Sequence, residues 1–146
     1  MILLILSGIL ITCNSASKTD KIVTSDPPID VVIKYLNAEK NNDAQEMFST
    51  LSDGHELKDI KLATKSLNIV EVKNENNPRY MEKTLKGEIA KQNGWTKENI
   101  SFVSAIYDVQ YDNSLVPYES GHQEDVFMLV RKDKNSPWLI HDSGLT

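Results

Sequence analysis

The stretch ISFVSAIYDVQYDNSLVPYESGHQEDVFMLVRKDKNSPWLIHDSG, residues 100–144, decides how this chain folds. From Val103 to Tyr111 apolar or aromatic side chains fall on every second position (Val103, Ala105, Tyr107, Val109, Tyr111), the period of a strand that turns one face to a core. A polar loop with Pro117 and Gly121 leads to a second run, Glu124 to Arg131, and the charged turn Lys132 to Pro137 leads to a third, Trp138 to His141. Three such runs in succession predict an antiparallel meander. A meander cannot bury its apolar face alone, so the amphipathic segments upstream are expected to be helices packed against it.

Working outward, Asp26, Pro27 and Pro28 form a helix start, a capping carboxylate followed by prolines whose fixed φ suits the first turn. Ile29, Val32, Ile33 and Leu36 then follow at helical spacing until Asn41 and Asn42 break the run. A shorter helix is expected over Asp43 to Leu51, with Ala44, Met47, Phe48 and Leu51 on one face and Ser52, Asp53 and Gly54 closing it. Leu57, Ile60 and Leu62 suit a helical turn, and a strand is expected from about Ser66 to Lys73. Tyr80 to Gln92 reads as one further amphipathic helix, with Tyr80, Met81, Leu85 and Ile89 on one side. Gly87 lowers its propensity by roughly 1 kcal/mol relative to Ala. Asn93 and Gly94 stop it. The order helix, helix, strand, helix, strands predicts an α+β fold, N-terminal helices on a curved antiparallel sheet.

Sixteen Lys and Arg against 21 Asp and Glu give a net charge of -5, which argues against a nucleic-acid partner. Ile2 to Thr12 carries no charge and is almost wholly Ile and Leu. As a helix this run spans about 16 Å, roughly half the hydrocarbon thickness of a bilayer, so it reads as a signal-peptide core, residues 1–12. The single cysteine, Cys13, follows directly. Asn14 to Ser25 is small and polar, a tether, so residues 13–25 link the anchor to a single domain at 26–146. Leu10, Ile11, Thr12 and Cys13 resemble the lipobox of bacterial lipoproteins. The resemblance implies cleavage before Cys13, diacylglycerol on its thiol, acylation by chains such as palmitate, and a location at the extracytoplasmic face of the cell membrane. Two acyl chains suffice for stable anchoring. The other reading makes Cys13 an ordinary small residue of a secretory signal or a buried N-terminal strand.

The helix pair from Val31 to Leu51, including YLNAEKNNDAQEMFSTL, the strand Ile100 to Tyr111 and the ending SPWLIHDSG, residues 136–144, resemble the nuclear-transport-factor-2-like superfamily. More narrowly they are similar to small uncharacterised lipoprotein domains of Gram-positive bacteria. The resemblance implies a cystatin-like cone, helices folded against a curved sheet with an opening at one end, and it makes a homodimer through the convex face an option. Enzymes of that superfamily often place an Asp, His or Tyr in the cone. The candidates on the meander are Tyr107, Asp108, Tyr111, His122, Glu124 and Trp138, although Asp108 lies on the strand face opposite Tyr107.

Motifs for other chemistry are absent from the sequence. His55, His122 and His141 stand far apart with no short His or Cys pair, so no metal site is expected. No Gly-x-Ser-x-Gly elbow and no phosphate-cradling glycine loop occurs, and no cofactor is expected. Asp53, His55 and Glu56 are expected at the surface, and Lys58, Lys61 and Lys65 are spaced to line one helical face. Two functions of different classes follow. One is a lipid-anchored, extracytoplasmic binding or interaction module for a small apolar ligand, a peptide or an envelope protein, with Tyr107, Tyr111, His122, Glu124 and Trp138 as cone-lining candidates. The other is a small isomerase or dehydratase that pairs a cone-lining carboxylate or His with a Tyr.

Overall fold

The computed structural model describes residues 26–144, so the expected signal peptide, Cys13 and the tether lie outside the described residues. The chain is an α+β domain whose N-terminal helices pack against a four-stranded antiparallel sheet, an arrangement compatible with a cone.

Helix α1 runs from Pro28 to Lys40. Asp26 does not cap it. Pro27 occupies the cap position without any side-chain bond, and Pro28 opens the first turn, where a missing N–H costs nothing. Helix α2, Ala44–Ser49, is capped by Asp43, whose carboxylate accepts from the Glu46 N–H at 3.0 Å. Between the helices Asn42 turns the chain at φ 52°, a region Asn tolerates better than most residues. Its amide also donates to the Thr64 carbonyl at 2.8 Å and accepts from the Thr64 N–H at 3.1 Å. That double bond ties the end of α1 to the start of the first strand.

The sheet runs in the order β1 (Thr64–Asn74), β2 (Ile100–Tyr111), β3 (Gly121–Val130), β4 (Leu139–Asp142). The sequence-predicted meander is thus strands β2 to β4, and β1 adds a fourth strand alongside β2. The register of β1 against β2 slips between Thr64 and Ser66 and again between Ile69 and Glu71. Such bulges bend a strand and increase its twist, and the second lies opposite Tyr107. It leaves Val70 unpaired and 56% exposed. On the far side, Leu51 bridges to Ile140, with the Ser52 N–H donating to the Ile140 carbonyl and the Ile140 N–H to the Thr50 carbonyl, both at 2.8 Å.

Two cores result. α1 lays Val31, Val32 and Leu36 on the sheet face formed by Leu67, Val103, Ala105, Tyr107, Val109, Phe127, Leu129 and Ile140. The opposite face carries Ile100, Phe102, Val126, Met128 and Val130 beneath Tyr80, Met81, Leu85 and Trp95. The sheet is therefore covered on both faces at one end, which is why Val126 to Val130 is a continuous buried run and not an alternating one.

Two expectations need correction. The segment Tyr80 to Gln92 is two helices, α3 (Pro78–Lys86) and α4 (Glu88–Asn93), because Gly87 at φ -70° and ψ 152° is extended and ends one helix as it begins the next. A Cβ at Gly87 would stand 3.1 Å from the Thr84 carbonyl oxygen, so the sharp break suits glycine. Lys58, Lys61 and Lys65 share no helix face: only Leu57–Asp59 forms a short 3-10 turn, and Lys65 is already in β1. Among the described residues no helix is long and apolar enough to cross a membrane.

Candidate functional site

Three elements converge at the C-terminal end of α1. Tyr35 and Glu39 are four residues apart and so share one flank of the helix. On β2, Tyr107 and Tyr111 lie on the same inward face by the two-residue period. On β3, Asp125 and Phe127 face inward, Asp125 opposite Ala105 and Phe127 opposite Val103, while Glu124 points the other way. These side chains, with Tyr118 and the segment from Leu51 to Lys61, line a cavity of about 370 Å³.

Its polar groups form two tyrosine–carboxylate pairs. The Tyr107 hydroxyl donates to Asp125 Oδ2 at 2.5 Å, and the Tyr111 hydroxyl donates to Glu39 Oε1 at 2.8 Å. Among the described residues neither carboxylate has a Lys, Arg or His nitrogen within 4.0 Å. Burial pushes the Glu39 carboxyl above its ordinary range; hydrogen bonds from Tyr111 and Thr64 oppose that rise, and the nearby charge of Asp125 adds to it. The hydroxyls of Tyr35, Tyr107 and Tyr111 are all pushed up, first by burial and then by the carboxylates beside them, so all three stay protonated donors. The aromatic walls are fixed by edge contacts, Tyr35 on Phe127 at 6.0 Å and Tyr111 on Tyr118 at 5.4 Å between ring centroids.

Of the residues singled out in the sequence, Tyr107 and Tyr111 line this cavity. His122 and Glu124 do not. They lie with Asp108 on the outward face of the sheet, His122 Nδ1 2.9 Å from Asp108 and Nε2 3.7 Å from Glu124, and all three are exposed. The Asp108 hydrogen bond raises the His122 pKa. Trp138 is also outside the cavity: it is half-buried against the edge of the α1 core, with the Arg131 guanidinium 4.4 Å from its ring centroid. Asp53, His55 and Glu56 are exposed, with His55 and Glu56 at the cavity rim.

Sequence reasoning missed Glu39, Asp125, Tyr35 and Tyr118. Two signals were available. Asp125 shares its strand parity with the buried Phe127 and Leu129, and Tyr35 with Glu39 sits one flank round from the α1 apolar stripe.

Two larger concavities carry less chemistry. A groove of about 760 Å³ runs along α3 and α4, and a hollow of about 560 Å³ surrounds Trp95, Arg131 and His141. In the latter, Ser52 Oγ lies 3.1 Å from His141 Nδ1, and burial lowers the His141 pKa. Among the described residues no carboxylate hydrogen-bonds His141, so the pair lacks the orienting acid of a Ser–His nucleophile. Nor do the described residues contain any group of three His, Cys, Asp or Glu placed to hold a metal ion.

Residues 30–144 match the family described as "Domain of unknown function (DUF4829)", and the chain belongs to that family. No curated protein and no solved structure matches it.

Proposed function

We propose that the cavity at the end of α1 is a small-ligand binding site, and that the domain is a binding module held at the extracytoplasmic face of the cell membrane by a lipid on Cys13. The observation that carries the binding reading is the meeting of two half-buried tyrosine–carboxylate pairs in one cavity, drawn from α1, β2 and β3. Small-molecule sites are typically of roughly 300–1,000 Å³ with convergent polar groups, and this cavity has that size, with an aromatic wall facing charged side chains. Because the cavity presents two carboxylates, the occupant has a polar end and is not the small apolar ligand expected from the sequence. The anchor is supported by the uncharged run Ile2 to Thr12 and the lone Cys13 after it. The finer assignment to the nuclear-transport-factor-2-like superfamily is part of the same proposal, supported by helices on an antiparallel sheet with a cavity at one end of it.

Native mass spectrometry of the full chain extracted from its own membranes in mild detergent, compared with the denatured spectrum, tests both parts. Cleavage before Cys13 plus acyl chains is expected, together with an additional mass lost on denaturation. An unlipidated mass removes the anchor. Absence of any released mass turns the reading towards an envelope-protein partner.

A second reading is favoured by one observation, a half-buried Glu39 with a raised pKa beside a tyrosine hydroxyl. In an isomerase or dehydratase, Glu39 would take a proton from a carbon next to a carbonyl while Tyr107 or Tyr111 turns its hydroxyl from its carboxylate to the developing oxyanion. Deuterium incorporation from heavy water into a small ketone, abolished by Glu39→Gln, tests it. No incorporation leaves the binding reading alone.

A further inference from the structure

We infer that the ligand of this cavity is an organic ammonium ion, its charged end held by Glu39 and Asp125 and its carbon frame lying against Tyr35, Tyr107, Tyr111 and Phe127. The inference rests on the binding reading above and names the chemical class of its ligand.

Three observations lead to it. First, the carboxylates inside the cavity lack a counter-cation: Glu39 and Asp125 are each met by one tyrosine hydroxyl and, among the described residues, by no Lys, Arg or His nitrogen within 4.0 Å. A carboxylate half out of water without a cation is disfavoured in its charged form, and the nearby charge of Asp125 adds to that cost for Glu39. A cation entering beside the two carboxylates offsets it. A neutral ligand leaves it in place, and an anion worsens it.

Second, the walls are aromatic. Four tyrosines and Phe127 line one cavity, and ring faces attract an ammonium group through their quadrupoles, most strongly where water is excluded. The hydroxyls of Tyr107 and Tyr111 are already donated to the carboxylates, which leaves the ring faces and the remaining carboxylate lone pairs to a guest. Third, the rim has the same sign. Glu56, Asp59 and Asp142 stand at the mouth against Lys61 and His55, so the field at the entrance draws cations in.

The test is a titration of the full chain in detergent, followed by the tyrosine ring signals in NMR spectra, with two matched pairs of probes. One pair is choline and its uncharged tert-butyl isostere; the other is butylammonium and butanol. At least one cation is expected to bind about tenfold tighter than its neutral partner, the equivalent of ~1.4 kcal/mol. Its affinity should fall by a similar factor in Asp125→Asn, in Glu39→Gln and with added salt. Tyr111→Phe keeps the ring and guards against a variant that fails to fold. If the neutral partners bind as tightly as the cations, the ammonium inference is overturned while the cavity remains a binding site. If no probe of either charge shifts the tyrosine signals, the binding reading itself fails and the inference goes with it.

Discussion

Replacing Glu39 by Gln should stabilise the domain at neutral pH and leave it unchanged in acid. Glutamine is nearly isosteric and its carbonyl oxygen can still accept from the Tyr111 hydroxyl, now at 2.8 Å from Glu39. The groups facing Glu39 are Tyr35 on its own helix, Thr64 on β1, Tyr107 and Tyr111 on β2, Tyr118 in the loop between β2 and β3, and Asp125 on β3, and none carries positive charge. Its folded pKa is therefore raised above the ordinary 4.5, and the folded state holds the proton more tightly than the unfolded chain does. Glu39's contribution is accordingly fully present below about pH 4.5. It is lost as pH rises through the folded value, the reverse of a salt-bridged carboxylate. Leaving a buried polar group short of partners costs about 1–3 kcal/mol, and the charge-assisted Tyr111 bond returns part of that, so the net gain from Gln is about 1 kcal/mol above neutrality. Urea unfolding of both proteins between acid and mildly alkaline pH measures it. The three histidines are common to both chains and drop out of the difference. A Gln variant destabilised equally at every pH, or one whose advantage shrinks as pH rises, would mean that Glu39 is stabilised as an anion and would refute the reasoning.

Asn42→Ala removes both bonds to Thr64 and places a less tolerant residue at φ 52°, so a loss of about 2 kcal/mol is expected by denaturant unfolding. Asn42→Gly keeps the backbone conformation and should lose less, which separates the clamp from the strain. Leu36→Ala, at a fully buried position, should cost about 3 kcal/mol in the same assay. For His122, whose pKa is raised by Asp108, the stabilising contribution is present below the ordinary histidine value and lost as pH climbs past the raised one. An NMR titration of the His122 ring should show its midpoint fall in Asp108→Asn, and an unchanged midpoint would mean the contact is absent in solution.

The strands of the meander are legible because burial of one face imposes a period of two, and Val103 to Tyr111 displays it. The same rule places Tyr107 and Tyr111 in the cavity. It fails over Val126 to Val130, where α3 and Trp95 cover the second face and alternation disappears. Glu39 and Asp125 are hard to find because a lone carboxylate in a chain reads as solvated; only the approach of α1 to β2 and β3, over long sequence separations, withdraws them from water. His122 and Glu124 mislead for a related reason. Their chemistry is suggestive, but the register pairs His122 with Asp108 and Glu124 with Ile106, which fixes both on the outward face. Trp138 lies beside β4, and its ring is taken up by Arg131 and the core edge. The break at Gly87 is visible as a weak residue in a helical pattern, yet whether such a residue kinks or splits a helix depends on what lies beneath it.

The two margins of the sheet bear on how such domains behave when crowded side by side. An open strand margin invites pairing with a neighbouring chain. Here β1 is interrupted at Lys65 and again at Val70, so its free backbone groups never present a long flat row. At the other margin β4 is four residues long, and Ile140 is already bonded to Thr50 and Ser52. Neither side can readily zip to a copy of itself, and the domain can be concentrated without its strands joining into a continuous sheet.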